Sequence, residues 1–147
     1  MLSQKCQYAV RAIFELAKNY NNGPMKTSEI AKAQAIPTRF LEVILSQLRQ
    51  GGFADSKRGT EGGYYLTRPP SELTVGEIIS FVEGPLGPVP CISDGEFACE
   101  LHGSCVFMSL WEKIRKIESE IYFGTTFQNL MDEEERMQHN YVPSYAI

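Results

Sequence analysis

The first fifty residues carry apolar side chains at helical spacing in three blocks. In residues 3 to 20 the apolar positions fall on two adjacent ridges, which predicts an amphipathic helix that ends at the breaker Asn21-Asn22-Gly23-Pro24. Thr27 is placed to cap a short second helix that reaches about Gln34. Pro37 then begins a third helix, because its missing N–H costs nothing in a first turn.

The third block separates an apolar stripe from a polar face. The stripe, which we expect to be buried, consists of Phe40, Leu41, Ile44, Leu45 and Leu48. The opposite side carries Thr38, Arg39, Glu42, Val43, Ser46 and Gln47. Arginine, serine, threonine and glutamine side chains reach base edges and phosphates in the major groove of DNA, so the pattern favours a recognition helix.

Residues 53 to 68 predict two short strands joined by a glycine-rich hairpin, with Lys57 and Arg58 near its tip. A helix, a short helix, a turn, a longer helix and a basic hairpin together have the layout of a winged helix-turn-helix. We therefore expect a mainly α fold with a small β-hairpin wing, and a DNA-binding domain over residues 1–83. The alternative is a generic three-helix domain with a surface hairpin.

The second half predicts a loop, a long helix and a tail. Thr74 and Glu77 form a capping box that opens a helix, and residues 84–105 form a cysteine-containing loop. Residues 106–131 are expected to hold a long helix to residue 123 and a short terminal turn, and the acidic tail 132–147 is expected to be loosely ordered.

The long helix carries an apolar seam. Its apolar positions recur at steps of four, three and four residues, as in a coiled coil: Leu110, Ile114, Ile117 and Ile121. A lone helix does not bury such a stripe, so we predict a homodimer. The alternative is that the helix packs back on its own domain.

The net charge of −4 hides a division between the two halves of the chain. Residues 1 to 68 hold ten Lys and Arg against five Asp and Glu, a net +5, whereas residues 69 to 147 hold four against thirteen, a net −9. The basic half can neutralise phosphates and the acidic half would be repelled by them.

Three of the four cysteines lie between residues 91 and 105: Cys91, Cys99 and Cys105. Clustered thiols in a chain without a signal-peptide pattern indicate metal or redox chemistry before structural disulfides. Spacing alone leaves an iron–sulfur cluster, a zinc site completed by His102 and unligated thiols all open.

Taken together, these motifs resemble the iron–sulfur-dependent winged-helix regulators of the IscR/NsrR/RirA superfamily. The resemblance covers about residues 1 to 131 and rests on a spaced set of segments. They are Tyr8-Ala9-Val10-Arg11-Ala12, residues 36–42, Arg58-Gly59, Gly62-Gly63-Tyr64, residues 75–79, Glu83-Gly84-Pro85, the three cysteines and Thr125-Thr126.

The resemblance implies a homodimer that binds a partly palindromic operator in double-stranded DNA. The start of the third helix would enter the major groove, and the wing arginine would reach the minor groove. With the polar face and the basic wing tip, the candidate DNA-binding residues are Thr38, Arg39, Phe40, Glu42, Ser46, Lys57 and Arg58.

The resemblance also implies a 2Fe–2S or 4Fe–4S cluster on the three loop cysteines. Met108 stands where some members of the superfamily have a ligating histidine, so the fourth ligand stays open between Cys6, Gln7 and His102. The expected function is that of a repressor whose operator affinity follows a cluster that senses iron, redox state or nitric oxide. The alternative is a zinc-bound or cluster-free regulator that responds to a thiol, a protein or a small molecule.

Other classes of protein fit the sequence poorly. A thiol redox enzyme would need a C-x-x-C pair, a nucleotide-dependent enzyme would need a glycine-rich phosphate loop, and neither motif occurs. The longest apolar run is too short to span a membrane. We therefore expect a cytoplasmic regulator that is not an enzyme and does not enter membranes.

Overall fold

The computed structural model describes residues 1–93, 99–101 and 103–141 of the 147-residue chain. These residues form seven α-helices, one 3-10 turn (Pro70–Glu72) and one two-stranded antiparallel sheet. The expected mainly α fold with a β-hairpin wing is confirmed. In chain order the elements are α1 Gln4–Lys18, α2 Thr27–Gln34, α3 Thr38–Gln50, β1 Ala54–Lys57, β2 Gly63–Leu66, α4 Val75–Glu83, α5 Pro90–Ser93, α6 Met108–Gly124 and α7 Phe127–His139.

The turn between α2 and α3 depends on one residue in an unusual backbone conformation. Ala35 follows α2 in the left-handed region, with φ of 51°. This conformation reverses the chain, and the Ile36 N–H donates to the Ala31 carbonyl at 3.0 Å. Ile36 is 4% exposed, so the turn itself is anchored in the core. A buried anchor offsets the strain that a non-glycine residue incurs at positive φ.

The wing is fixed to the body of the domain by backbone hydrogen bonds. Met25 and Tyr64 each donate to the other's carbonyl at 2.8 Å, which joins the segment before α2 to β2. Gly63 permits this approach, because a Cβ atom there would lie 2.3 Å from the Met25 oxygen. In the hairpin, Ala54 pairs with Leu66 and both side chains are buried.

The C-terminal helices return to the core of the N-terminal half. The Val75 N–H donates to Thr125 at 2.9 Å, and the Phe127 N–H donates to Leu73 at 3.0 Å. Phe127 is completely buried in the cluster that includes the buried stripes of α1 and α3. Residues on both sides of the cysteine loop therefore share one hydrophobic core.

One element differs from the sequence prediction of a loosely ordered tail from Asp132. Helix α7 runs to His139, so the prediction is wrong for residues 132–139, whereas residues 142–147 lie outside the described residues. Thr126 caps α7 by accepting from the Asn129 N–H at 3.1 Å. Lys18 lies 3.3 Å from Glu134, so the acidic run has a cation of α1 beside it.

Phe40 also differs from its expected place in the buried stripe of α3, since it is 62% exposed. The four other apolar residues of that stripe centre the buried side of the helix away from Phe40, which falls at its edge.

A membrane-spanning element is also absent from what the structure describes, since none of its helices combines the length and apolar character that a bilayer crossing requires.

We expect replacement of Phe127 by alanine to lower the free energy of unfolding by about 3–5 kcal/mol, the usual cost of emptying a phenylalanine site in a core. Urea denaturation at one fixed protomer concentration would measure it. Met137→Ala is the control, because Met137 lies on the same helix and is 65% exposed. A loss below about 1 kcal/mol for Phe127→Ala, similar to the control, would contradict a shared core.

Candidate nucleic-acid interface and cysteine loop

The buried stripe of α3 determines which of its side chains face outward. Leu41, Ile44, Leu45 and Leu48 are at most 3% exposed and fix the rotation of the helix. The first turn then presents exposed side chains, and Ser46 is half-buried one turn further on. The exposed candidates on this helix are Thr38, Arg39, Phe40 and Glu42. Four of the five predicted DNA-binding residues of α3 are therefore exposed, and the fifth, Ser46, is half-buried.

The wing carries its two cations at an exposed position. Lys57 ends β1 and Arg58 follows it, and both side chains are exposed. The backbone turns tightly here, because a Cβ atom at Gly62 would lie 2.1 Å from the Lys57 carbonyl oxygen. A glycine at this point keeps the hairpin short and both cations at its end.

Arg49 connects α3 to the wing and is not among the residues predicted from the sequence. Its Nη1 donates to the Ser56 hydroxyl at 3.3 Å, which joins the last turn of α3 to β1. Arg49 follows Glu42 by seven residues, or two helical turns, so its position on the same side was recognisable from the spacing.

A buried carboxylate on α1 connects this helix to two others. Glu15 is 6% exposed, pairs with Lys18 at 2.9 Å and accepts from Gln34 Nε2 at 2.6 Å. Lys18 also reaches Glu134, so one network joins α1, α2 and α7. A buried charge is tolerated only when it is paired and hydrogen-bonded, and Glu15 is both.

The three loop cysteines lie within the segment that joins α4 to α6. Cys91 lies in α5, Cys99 precedes a short turn, and Cys105 lies shortly before α6. Each is half-buried and none forms a disulfide. Across residues 1–93, 99–101 and 103–141, no three His, Cys, Asp or Glu side chains lie close enough together to hold a metal ion. Cysteine thiolates are suitable ligands for an iron–sulfur cluster or for zinc. The structure does not bring the three loop cysteines to one point.

Two of the three candidates for a fourth ligand lie among the described residues, and these two differ in burial. Cys6 is completely buried, and burial, together with the Glu83 carboxylate beside it, raises its pKa to about 11. A metal ion deprotonates a thiol that it binds, so the complete burial of Cys6, rather than this pKa, is what disfavours it as a ligand. Gln7 is exposed and its Nε2 donates to the Leu2 carbonyl at 3.0 Å. His102 lies outside the described residues.

Glu83 links the beginning of α1 to the entrance of the cysteine loop. Its Oε1 accepts from the Ser3 N–H at 2.8 Å and from the Ser3 hydroxyl. These hydrogen bonds hold the pKa of the Glu83 carboxyl below its usual value, so it is an anion at neutral pH. Glu83 is the last residue of α4 and Gly84 follows it into the loop.

Helix α6 exposes the apolar seam that its spacing predicted. Leu110 is 48% exposed, Ile114 38%, Ile117 58% and Ile121 60%. Ile114, Ile117 and Ile121 line a shallow apolar groove, and charged side chains such as Glu112 and Lys116 lie along another face of the helix. At its C-terminal end α6 packs on its own domain, where the Phe123 ring lies against Gly76.

Comparison with protein families gives one match over most of the chain. Residues 2–133 match the Rrf2 family model, described as an iron-dependent transcriptional regulator.

Individual relatives agree with the family match. The transcriptional regulator CymR of Bacillus subtilis is 33% identical over 141 residues, which cover 96% of each chain. The solved structure of B. subtilis CymR, described as the global cysteine regulator of that organism, superimposes with a TM-score of 0.78 at 32% identity, over 90% of this chain and 97% of that one. The solved structure of IscR from T. potens gives a TM-score of 0.76 at 31% identity, over 99% of this chain and 94% of that one.

These relatives are transcriptional regulators rather than enzymes, which agrees with the expectation from the sequence. Regulators of this family bind DNA, and the homodimer is their typical assembly. The match to the family model covers both the winged helix-turn-helix and the cysteine loop. The chain belongs to the Rrf2 family of transcriptional regulators.

Proposed function

We propose that this protein is a cytoplasmic, homodimeric repressor that binds a partly palindromic operator, with an affinity set by an iron–sulfur cluster on its cysteine loop. The observation that carries the DNA-binding part is the open face of α3 beside the exposed wing cations. Side chains on this face include donors and acceptors that complement base edges, and the wing adds cations for the phosphates.

The charge distribution supports an orientation in which α3 and the wing face the DNA. The net +5 of residues 1 to 68 belongs to the half that contains α3 and the wing. The net −9 of residues 69 to 147 belongs to the half that contains α6 and α7. A phosphate backbone attracts the first half and repels the second, so DNA approaches from the side of the wing.

The exposed seam of α6 supports homodimer formation. Leu110, Ile114, Ile117 and Ile121 present a row of apolar side chains over about three helical turns. A second copy would place the same row against this one around a two-fold axis, and both rows would leave water. Two recognition helices related by such an axis would read the two halves of a palindrome, typically about 34 Å apart.

The cofactor proposal rests on the three free loop cysteines and on the description of the matching family as iron-dependent. Cys91, Cys99 and Cys105 would hold the cluster, and Gln7 and His102 stay open as a further ligand. Cys6 is disfavoured by its complete burial. When bound, the cluster would supply iron that oxidants or nitric oxide can attack and that is lost when iron is scarce.

Glu83 offers a route from the loop to the DNA-binding helices. Its hydrogen bonds to Ser3 tie the start of the loop to the start of α1, and α1 packs against α3. Ordering of the loop would therefore act on the helix that supports the recognition helix. An allosteric coupling of about 1–3 kcal/mol changes operator affinity roughly 5- to 150-fold.

A second candidate function is a cluster-free regulator that responds to a thiol compound. It is favoured by the absence of a metal-binding cluster from the residues that the structure describes, and by the relative described as a global cysteine regulator. A zinc site on the same cysteines with His102 would be a third occupant of the loop. Iron, sulfide and zinc content of anaerobically purified protein separates the three.

Replacement of Arg39 or Arg58 by alanine is expected to weaken operator binding by about tenfold or more, because each removes a cation that can bond to a base or phosphate. Fluorescence anisotropy at fixed salt would measure the affinity. Arg136→Ala removes the same charge from α7, and we expect it to bind as the wild type does. Equal affinities for Arg58→Ala and Arg136→Ala would remove the wing from the interface.

Replacement of Cys99 by alanine is expected to abolish bound iron and acid-labile sulfide and to make DNA binding independent of oxidants. The matched variant Cys6→Ala should retain iron and sulfide, since the Cys6 thiol is completely buried. Iron and sulfide analysis after anaerobic purification checks both variants. Cluster retention by Cys99→Ala, or its loss from a folded Cys6→Ala protein, would contradict the proposed ligand set.

Replacement of Ile117 by glutamate is expected to dissociate the dimer, because it places a charge in an apolar seam that the second subunit would cover. Sedimentation at several concentrations would measure the monomer fraction. Lys116→Glu places a carboxylate among the charged residues of α6 and should leave the dimer intact. A stable Ile117→Glu dimer would move the interface away from the seam.

A further inference from the structure

Val43 is an exposed apolar residue near the centre of the face that α3 presents. Its side chain is 56% exposed on a helix whose apolar stripe is otherwise buried at Leu41, Ile44, Leu45 and Leu48. At about 100° per residue, the four buried positions place Val43 roughly 150° from the centre of the buried side. Packing within this chain therefore leaves Val43 facing outward.

Its neighbours on that face are charged or polar. Arg39 precedes Val43 by four residues, about one helical turn, and Glu42 is adjacent in sequence. Phe40 is exposed as well, but lies at the edge of the buried side, where it and Val43 border an apolar cavity of about 400 Å³ with Tyr8 of α1. Val43 is thus the apolar group closest to the centre of the face proposed to meet DNA.

We infer that Val43 selects a thymine in each operator half-site by contact with its 5-methyl group. This inference rests on the proposed function, since it needs α3 in the major groove. A valine side chain has no hydrogen-bonding atom. The methyl of thymine is the apolar feature that a base presents in the major groove, whereas the other base edges present donors or acceptors. Opposite those groups, valine would remove water without replacing its hydrogen bonds.

Glu42 adds a second constraint on the same part of the operator. A carboxylate accepts a hydrogen bond from the amino group of cytosine and is repelled by the acceptor atoms of guanine. Glu42 is exposed next to Val43, and its side chain is turned about 100° from it around the helix. The recognised half-site is therefore expected to contain a thymine with a cytosine near it.

The test begins with selection of bound sequences from a pool of random double-stranded DNA by the wild-type protein. Each enriched thymine is then replaced singly by deoxyuridine, which removes only the methyl group. We expect one thymine in each half-site at which this change weakens wild-type binding about three- to tenfold. Val43→Ala should bind the thymine and uracil versions equally, and both more weakly than the wild type binds the thymine version.

Met137→Ala is the control variant, because Met137 is an exposed apolar residue on α7 and should leave the wild-type uracil pattern unchanged. Loss of uracil sensitivity in this control would overturn the inference, as would enriched sequences without a uracil-sensitive thymine. Uracil sensitivity that persists in Val43→Ala would also overturn it and would assign the methyl contact to another side chain. Failure to enrich any sequence would instead overturn the proposed function.

Discussion

The packing of the apolar stripe of α3 against α1 determines which side chains of α3 are exposed. Leu41, Ile44, Leu45 and Leu48 are buried almost completely, and they lie in one cluster with the apolar face of α1. Because an α-helix is rigid, burial of one side specifies the direction of every side chain on the other. The open face of α3 is therefore a consequence of the core.

Electrostatic contacts add connections to this packing rather than replace it. The Glu15 network joins α1 to α2 and α7, and the Arg49 contact with Ser56 joins α3 to the wing. The solvent-exposed contacts among them, Lys18–Glu134 and Arg49–Ser56, contribute little stability by themselves, typically below about 1 kcal/mol. Their effect is geometric, because they hold helices that the hydrophobic core brings together in one relative position.

The elements of the DNA-binding half were predictable because local signals agree there. The breaker Asn21-Asn22-Gly23-Pro24 and the glycines of the hairpin each specify a boundary without reference to distant residues. The predicted cap of α2 at Thr27 is wrong by one residue, because Lys26 is the N-cap and Thr27 is the first helical residue. The length of α7 was not predictable from its acidic composition, because its stability depends on contacts with α1 through Lys18 and on burial of Phe127. These contacts join positions far apart in the chain.

In the candidate site, too, some features follow from local sequence signals and others depend on contacts between distant residues. Helical spacing predicts which residues of α3 face outward. It defines the edge of the buried side only to within one residue, and Phe40, which lies at that edge, is exposed. The burial and the raised pKa of Cys6 could not be predicted from the sequence, because they depend on the packing of α1 and on Glu83 of α4. The loop cysteines do not converge among the described residues, and no local sequence signal specifies the path of a loop of this length.

The return of Phe127 to the core has a consequence for synthesis of the protein. A nascent chain emerges N-terminus first, so α1 to α4 leave the ribosome before the residue that completes their core. The DNA-binding half cannot reach its final packing until the cysteine loop and α6 have also emerged. Completion of this core is therefore a late event in synthesis, and it follows emergence of all four cysteines.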